Sequence, residues 1–261
     1  MLGKLLGYEM KAYGRIMVPI YIALIALSVV LGIGFHFLPD AMTHNFIFIL
    51  LFILYILLLV SVVVMTTILG VNRYYGNLLG REGYFMFSLP TRTSTMMTAK
   101  TLAALIWTAF GAIAGFASIL LTSLIAFNDD SFREIADAIT EVLPQLKPYL
   151  GNIIVWVIVI VFGVVTLIVR VYAAVSIGSQ WSGHRMIGSI LVYIGFKVIE
   201  TVIASIVRAI TPLRTAIENI VGNAEPASFK PAILALAIIL VQLVIYWVIA
   251  WFFTDRKLNL E

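Results

Sequence analysis

The chain has 261 residues, of which 62% are hydrophobic and only 11% are charged. A soluble domain carries about 25% charged residues, so this chain could not cover a water-exposed surface. Soluble enzymes and secreted domains are therefore nearly excluded. The formal net charge is +4, which in a membrane protein indicates basic cytoplasmic loops rather than nucleic-acid binding. There are no cysteines, which excludes disulfides and thiolate metal sites.

Six apolar stretches are each long enough to cross a hydrocarbon core, which takes about 20 residues of α-helix. They cover residues 16–38, 45–72, 101–127, 151–178, 186–207 and 231–253. Because a lipid-exposed backbone must satisfy its own hydrogen bonds, the spans are predicted to be helices. The prediction is an all-α integral membrane protein, multi-pass, with a single transmembrane domain over residues 1–261.

Basic residues are distributed unequally between the two sets of segments that connect the spans. The set that includes both termini holds ten of them: Lys4, Lys11, Arg15, Arg73, Arg81, Arg92, Lys100, Arg185, Arg256 and Lys257. The other set holds five: Arg133, Lys147, Arg208, Arg214 and Lys230. The positive-inside rule therefore predicts that both termini are cytoplasmic. Cleavage of the first span as a signal peptide is not expected, because its apolar run is too long and no small-residue cleavage site follows.

Two further segments are predicted to form helices that do not cross the membrane. The first precedes span one and has an apolar stripe opposite a basic one, which predicts an amphipathic helix in the inner interface. Its apolar stripe comprises Leu2, Leu6, Met10, Tyr13 and Met17, and its basic face comprises Lys4, Lys11 and Arg15. The second runs from Thr211 and Pro212 to Gly222, and predicts a short interfacial or re-entrant helix before span six.

The sequence carries no recognisable motif for catalysis or nucleotide binding. H-E-x-x-H and G-x-S-x-G do not occur, and Gly76, Gly80 and Gly83 fit neither the dinucleotide nor the P-loop pattern. No catalytic, cofactor or metal site is therefore predicted, and the chain is not expected to be an enzyme. If it carries out ATP-driven transport, another chain must bind the ATP. The dispersed basic residues argue against nucleic acid as a partner.

The connection between spans two and three is the most informative segment. It covers residues 72–100, NRYYGNLLGREGYFMFSLPTRTSTMMTAK, and combines charged, aromatic and glycine residues. Pro90 disfavours helix at the residue before it, so a short helix is predicted between two breaks. Such a helix with exposed aromatic residues suits docking into a groove on another protein. The same residue types would also suit a loop whose aromatic side chains lie in the membrane interface.

In layout and in two local stretches, the chain resembles a known family. The opening GKLLGYEMKAYGRIMVPIY, the six spans and GNLLGREGYFMFSLPTRT are similar to six-span, exporter-type permease subunits of ABC transporters with the type V fold. The resemblance implies a cytoplasmic coupling helix that contacts the ATPase and contains Arg81, Glu82, Gly83, Tyr84 and Phe85. It also implies two partner ATPase chains that bind ATP and Mg²⁺, a second copy or a related permease to form a dimer, and a bacterial cytoplasmic membrane. On family grounds, an amphipathic or antimicrobial peptide is the preferred substrate.

Only three of the 30 charged residues fall inside the predicted spans: Arg170, Lys197 and Glu200. The three-residue spacing of Lys197 and Glu200 places them on one helix face, where they can pair near mid-membrane. That pair could line a pathway, fix a subunit interface or be structural. Arg170 is expected to extend to the cytoplasmic interface. The alternatives to the exporter are an ion-coupled secondary transporter that uses Lys197 and Glu200, and a membrane enzyme or assembly factor.

Overall fold

The computed structural model describes residues 2–37, 45–80, 88, 91–126, 137, 140–142, 144, 147–181, 184–210, 215 and 229–256. Six long helices in this part of the chain are apolar enough to cross a membrane, which indicates a multi-pass membrane protein. They are α1 (Leu2–Phe37), α2 (Phe46–Tyr74), α3 (Thr93–Ala126), α4 (Leu150–Gly178), α5 (Arg185–Ala209) and α6 (Lys230–Arg256). Each of the six predicted spans lies on one of these helices. A π-helical turn, Tyr75–Leu79, extends α2.

The helices divide between two compact units. Unit 1 comprises Met1–Gly70 and Leu102–Gln145, and unit 2 comprises Val71–Thr101 and Leu146–Glu261. Unit 1 therefore contains α1 and most of α2 and α3. Unit 2 contains α4, α5 and α6, together with the ends of α2 and α3 that flank the connection between spans two and three.

The N-terminal amphipathic segment is not a separate helix, contrary to the prediction. It continues without a break into span one as α1. The reason is a single buried stripe: Tyr13, Met17, Leu24 and Leu31 are all almost completely buried. Their four- and seven-residue spacings keep them on one face of a continuous helix. Tyr13 stacks on Trp107 of α3, with 6.3 Å between the ring centroids. Tyr13 and Met17 of the apolar stripe therefore face protein in unit 1, whereas Leu2 is exposed.

Polar side chains inside unit 1 find partners on neighbouring helices. The hydroxyls of Tyr55 on α2 and Ser118 on α3 are 3.0 Å apart. Thr122 on α3 donates to the backbone carbonyl of Ser28 on α1 at 3.2 Å. Because lipid offers no hydrogen-bonding partner, such contacts between helices stabilise specific pairings among apolar surfaces.

In unit 2, α4 packs against both α5 and α6. The close approach of α4 and α5 occurs at the turn between them, where Gly178 ends α4. A Cβ atom at Gly178 would collide with the backbone N and Cα of Ser189 in the first turns of α5. Only glycine therefore allows the two backbones this separation.

Two predicted segments lie outside the described residues. One contains Arg81, Glu82, Gly83, Tyr84 and Phe85, and the other comprises residues 211–214 and 216–222.

Replacing Gly178 with Ala should destabilise the protein by more than about 2 kcal/mol, because backbone atoms, unlike side chains, cannot move aside. Gly195 on α5 is a matched control, since nothing lies within 4 Å of a Cβ built there. We expect Gly195→Ala to be neutral or slightly stabilising. Thermal unfolding of the purified variants in detergent measures both effects, and equal melting temperatures for the two variants would contradict the close packing at Gly178.

Candidate functional site: a charged cluster among three spanning helices

Arg170 on α4 lies in the interior of unit 2, where its side chain is only 10% exposed. Its Nη2 donates to Glu200 Oε1 on α5 at 2.9 Å and is 3.4 Å from Gln242 Oε1 on α6. The guanidinium carbon is 5.2 Å from the centroid of the Tyr246 ring, also on α6. A guanidinium suits such a position because it combines several donors with a flat face that stacks on aromatic rings.

Glu200 accepts hydrogen bonds from three helices, including its own. Besides Arg170, the hydroxyl of Tyr246 on α6 donates to Glu200 Oε1 at 2.6 Å. On α5 itself, Lys197 Nζ is 3.3 Å from Glu200 Oε2. Both carboxylate oxygens are therefore occupied, as a charge held away from water requires.

Lys197 differs from the other members of the cluster in its exposure. Its side chain is 51% exposed, against 20% for Glu200 and 10% for Arg170. It contacts the carboxylate by the i,i+3 spacing that the sequence indicates. Lys197 is thus the accessible member of a cluster whose other charges are enclosed.

The expectation that Arg170 extends to the membrane interface is wrong. The residue is buried and its charge is directed at Glu200. Gln242 and Tyr246, which complete the cluster from α6, were not predicted from the sequence.

A second polar cluster joins the ends of α2, α4 and α6 that are predicted to be cytoplasmic. The hydroxyl of Tyr74, which is fully buried, lies 2.8 Å from those of Ser176 and Thr254. Ser176 and Thr254 are themselves 3.1 Å apart. The Tyr74 ring stacks on Tyr172 with the centroids 4.0 Å apart and the planes nearly parallel. This hydroxyl cluster ties the end of α2 to α4 and α6.

The beginning of α3 is attached to α6 in a similar way. Thr93 Oγ1 donates to Asp255 Oδ1 at 2.6 Å. The contact borders an open pocket of about 610 Å³ that is also lined by Trp247 and Trp251. Both ends of the connection between spans two and three are thus bonded to α6 within unit 2.

The coupling helix implied by the resemblance lies outside the described residues; it contains Arg81, Glu82, Gly83, Tyr84 and Phe85. The charged cluster is therefore the candidate site within the described part of the chain. Among the described residues, no group of three or more His, Cys, Asp or Glu side chains could hold a metal ion.

Comparisons with protein-family models, curated proteins and solved structures find no match to the chain.

The cluster predicts a ranking of stabilities. Glu200→Gln should destabilise the protein by about 3–5 kcal/mol, because it leaves Arg170 and Lys197 facing each other without a counter-charge. Lys197→Met should cost less than about 1 kcal/mol or stabilise the protein, because it removes a cation from an apolar helix surface while Glu200 keeps its bonds to Arg170 and Tyr246. Unfolding of purified protein in mixed micelles measures both. A larger loss for Lys197→Met than for Glu200→Gln would contradict this account of the cluster.

Proposed function

We propose that the chain is the permease subunit of an ATP-driven ABC exporter of the type V fold. In this proposal two six-span permeases, either identical or related, form a translocation pathway in a bacterial cytoplasmic membrane. Two separate ATPase chains bind ATP and Mg²⁺ on the cytoplasmic side. The permease itself makes and breaks no covalent bond, and its cargo is an amphipathic or antimicrobial peptide.

The observation that carries the proposal is the attachment of the segment between spans two and three. Val71–Thr101 belongs to the same compact unit as α4, α5 and α6, although most of α2 and α3 belongs to the other unit. Its two flanks are bonded by Tyr74 to Ser176 and Thr254, and by Thr93 to Asp255. A displacement of this segment by a partner would therefore act directly on α4 and α6, as a coupling element must.

The lack of a nucleotide-binding motif in the sequence supports the proposal that ATP binds to separate ATPase chains. The sequence carries neither of the glycine-rich patterns that cradle phosphates, while the 72–100 segment has the charged and aromatic residues expected of a docking helix. ATP-driven closure of the partner ATPases would move the two coupling helices, and the spans would then change access to the pathway.

The charged cluster favours one alternative, an ion-coupled secondary transporter. Lys197 is half exposed beside Glu200, and ionisable residues inside spans often belong to ion pathways. This alternative predicts transport that follows an ion gradient and needs no ATPase. Purification of the chain from its native membrane separates the two functions, because the exporter requires an ATPase that co-purifies with it.

Charge reversal at Glu82 tests the proposed ATPase contact. We expect Glu82→Lys to abolish or strongly weaken co-purification of the ATPase, because the substitution inverts a charge on the proposed docking helix. Insertion into the membrane should be unchanged. Glu141→Lys is the matched control, since Glu141 is exposed and is predicted to lie on the opposite side of the membrane. Undiminished co-purification with Glu82→Lys would count against the coupling helix.

The Tyr74 hydroxyl tests transmission from the docking helix to the spans. Tyr74→Phe keeps the ring but removes the hydrogen bonds to Ser176 and Thr254, at a cost of about 0.5–2 kcal/mol. We expect the ATPase still to co-purify, whereas stimulation of its ATP hydrolysis by the permease in proteoliposomes should fall several-fold, an estimate from about 1 kcal/mol of lost coupling.

Tyr55→Phe is the control for this effect, because it removes a buried hydroxyl that bonds Ser118 in unit 1. If Tyr55→Phe reduced the stimulation as much as Tyr74→Phe, the loss would reflect general destabilisation, and the transmission role of Tyr74 would be excluded.

A further inference from the structure

The charged cluster has one positive charge more than it can neutralise. Arg170 and Lys197 are both cations, and Glu200 is the single anion between them. The shortest contacts of the carboxylate are with the Tyr246 hydroxyl at 2.6 Å and Arg170 at 2.9 Å, whereas Lys197 is 3.3 Å away. The excess charge therefore resides at Lys197, the most exposed of the three.

Lys197 cannot place this charge in the aqueous interface. It is the central residue of α5 (Arg185–Ala209), which places it about 18 Å from either end of the helix. A lysine side chain extends about 6 Å, too short to snorkel over this distance. Its neighbours on the helix surface include Ile194 and Val198, whose side chains are exposed and apolar. An ammonium group surrounded in this way needs a counter-charge, because an unpaired charge at mid-bilayer costs several kcal/mol.

The described helices contain no second acid at this depth. Apart from Glu200, their acidic residues are Glu9 on α1 and Asp255 on α6, which lie toward helix ends. A second copy of the chain would add the same excess of positive charge, so a homodimer does not neutralise Lys197 through its spanning helices. Besides Glu200, which also pairs with Arg170, a further counter-charge for the cluster would be a group that the described helices do not contain.

We propose that Lys197 binds the anionic group, phosphate or carboxylate, of an amphiphile whose apolar part lies along the apolar surface formed by Ile194 and Val198. This inference rests on the proposed transport function for the role of the amphiphile as cargo, and it narrows that cargo to molecules with an anionic group. Arg170 and Tyr246 both bond Oε1 of Glu200, whereas Lys197 contacts Oε2. Because the ammonium has three donors, Lys197 can keep the bond to Oε2 and direct another donor to the ligand. The phosphate or carboxylate accepts a charge-assisted hydrogen bond from Nζ.

The test measures binding of radiolabelled dodecyl phosphate to the full chain in phosphatidylcholine nanodiscs, with empty nanodiscs as the blank. We expect Lys197→Gln to weaken binding at least about tenfold, as loss of one charge-assisted bond predicts, and Lys197→Arg to retain most of it. Ile199→Gln introduces the same amide on the opposite face of α5, at an exposed apolar position that takes no part in the proposed contact, and should bind like the unmodified chain. Uncharged dodecanol should show no dependence on Lys197.

Partial replacement of phosphatidylcholine by phosphatidylglycerol distinguishes the source of the anionic group. Competition with dodecyl phosphate would assign the site to membrane lipid headgroups, and its absence would assign the site to a single-chain anionic ligand. Both results support an anion site at Lys197.

Three results would overturn the proposal. Binding by Lys197→Gln that equals that of the unmodified chain is the first, and equal binding of dodecanol and dodecyl phosphate to the unmodified chain is the second. The third is a several-fold gain in binding of dodecyl phosphate with Glu218→Gln. Such a gain would mean that Glu218, which lies outside the described residues, is the counter-charge of Lys197 in the unmodified chain. The assay contains no ATPase, so its failure is distinct from a failure of ATPase co-purification.

Discussion

The ion pair between Arg170 and Glu200 is the interaction on which the arrangement of α4, α5 and α6 depends. Lipid is as apolar as a leucine side chain, so apolar packing alone gives little preference for one rotation of a helix over another. A carboxylate changes this, because it must be paired wherever water is excluded. Turning α4 by one residue would move Arg170 by about 100° around the helix axis and leave Glu200 without its closest cation. The pair therefore fixes the faces that α4 and α5 present to each other, and Tyr246 does the same for α6.

The hydroxyl cluster at the ends of α2, α4 and α6 follows the same rule with weaker groups. An unpaired hydroxyl costs less than an unpaired charge, so several bonds take the place of one ion pair. Tyr74 bonds Ser176 and Thr254 at once, and its ring stacks on Tyr172. The end of α2 consequently belongs with the later helices, although the chain places it far from them in sequence. These contacts hold the end of α2 to α4 and α6 within unit 2.

Hydropathy was sufficient to predict the six spans, because the preference of a side chain for lipid is a property of each residue by itself. The contact of Lys197 with Glu200 was also predictable, since both residues lie on one helix. The bond between Arg170 and Glu200 was not, because it depends on how α4 and α5 approach each other at Gly178 and Ser189. Tyr246 carried no signal at all in an aromatic-rich span. The continuation of the N-terminal helix into span one could have been predicted. Met17, Leu24 and Leu31 repeat at seven-residue intervals, which continues the stripe of the amphipathic segment into the span.

The two cations of the cluster are chemically suited to different roles. Arginine remains charged in any environment and presents a flat face, and Arg170 directs Nη2 to Glu200 and Gln242 while its face covers Tyr246. Lysine is a compact charge on a flexible stem, and Lys197 is half exposed with a longer contact to the carboxylate. A cation that holds helices together cannot exchange partners without loosening them. Arg170 and Tyr246 hold the helices through Glu200 Oε1, so an exchange of partners by Lys197 would leave those bonds in place. For a transporter of the proposed kind, this would separate the stability of the bundle from the movement of cargo through it.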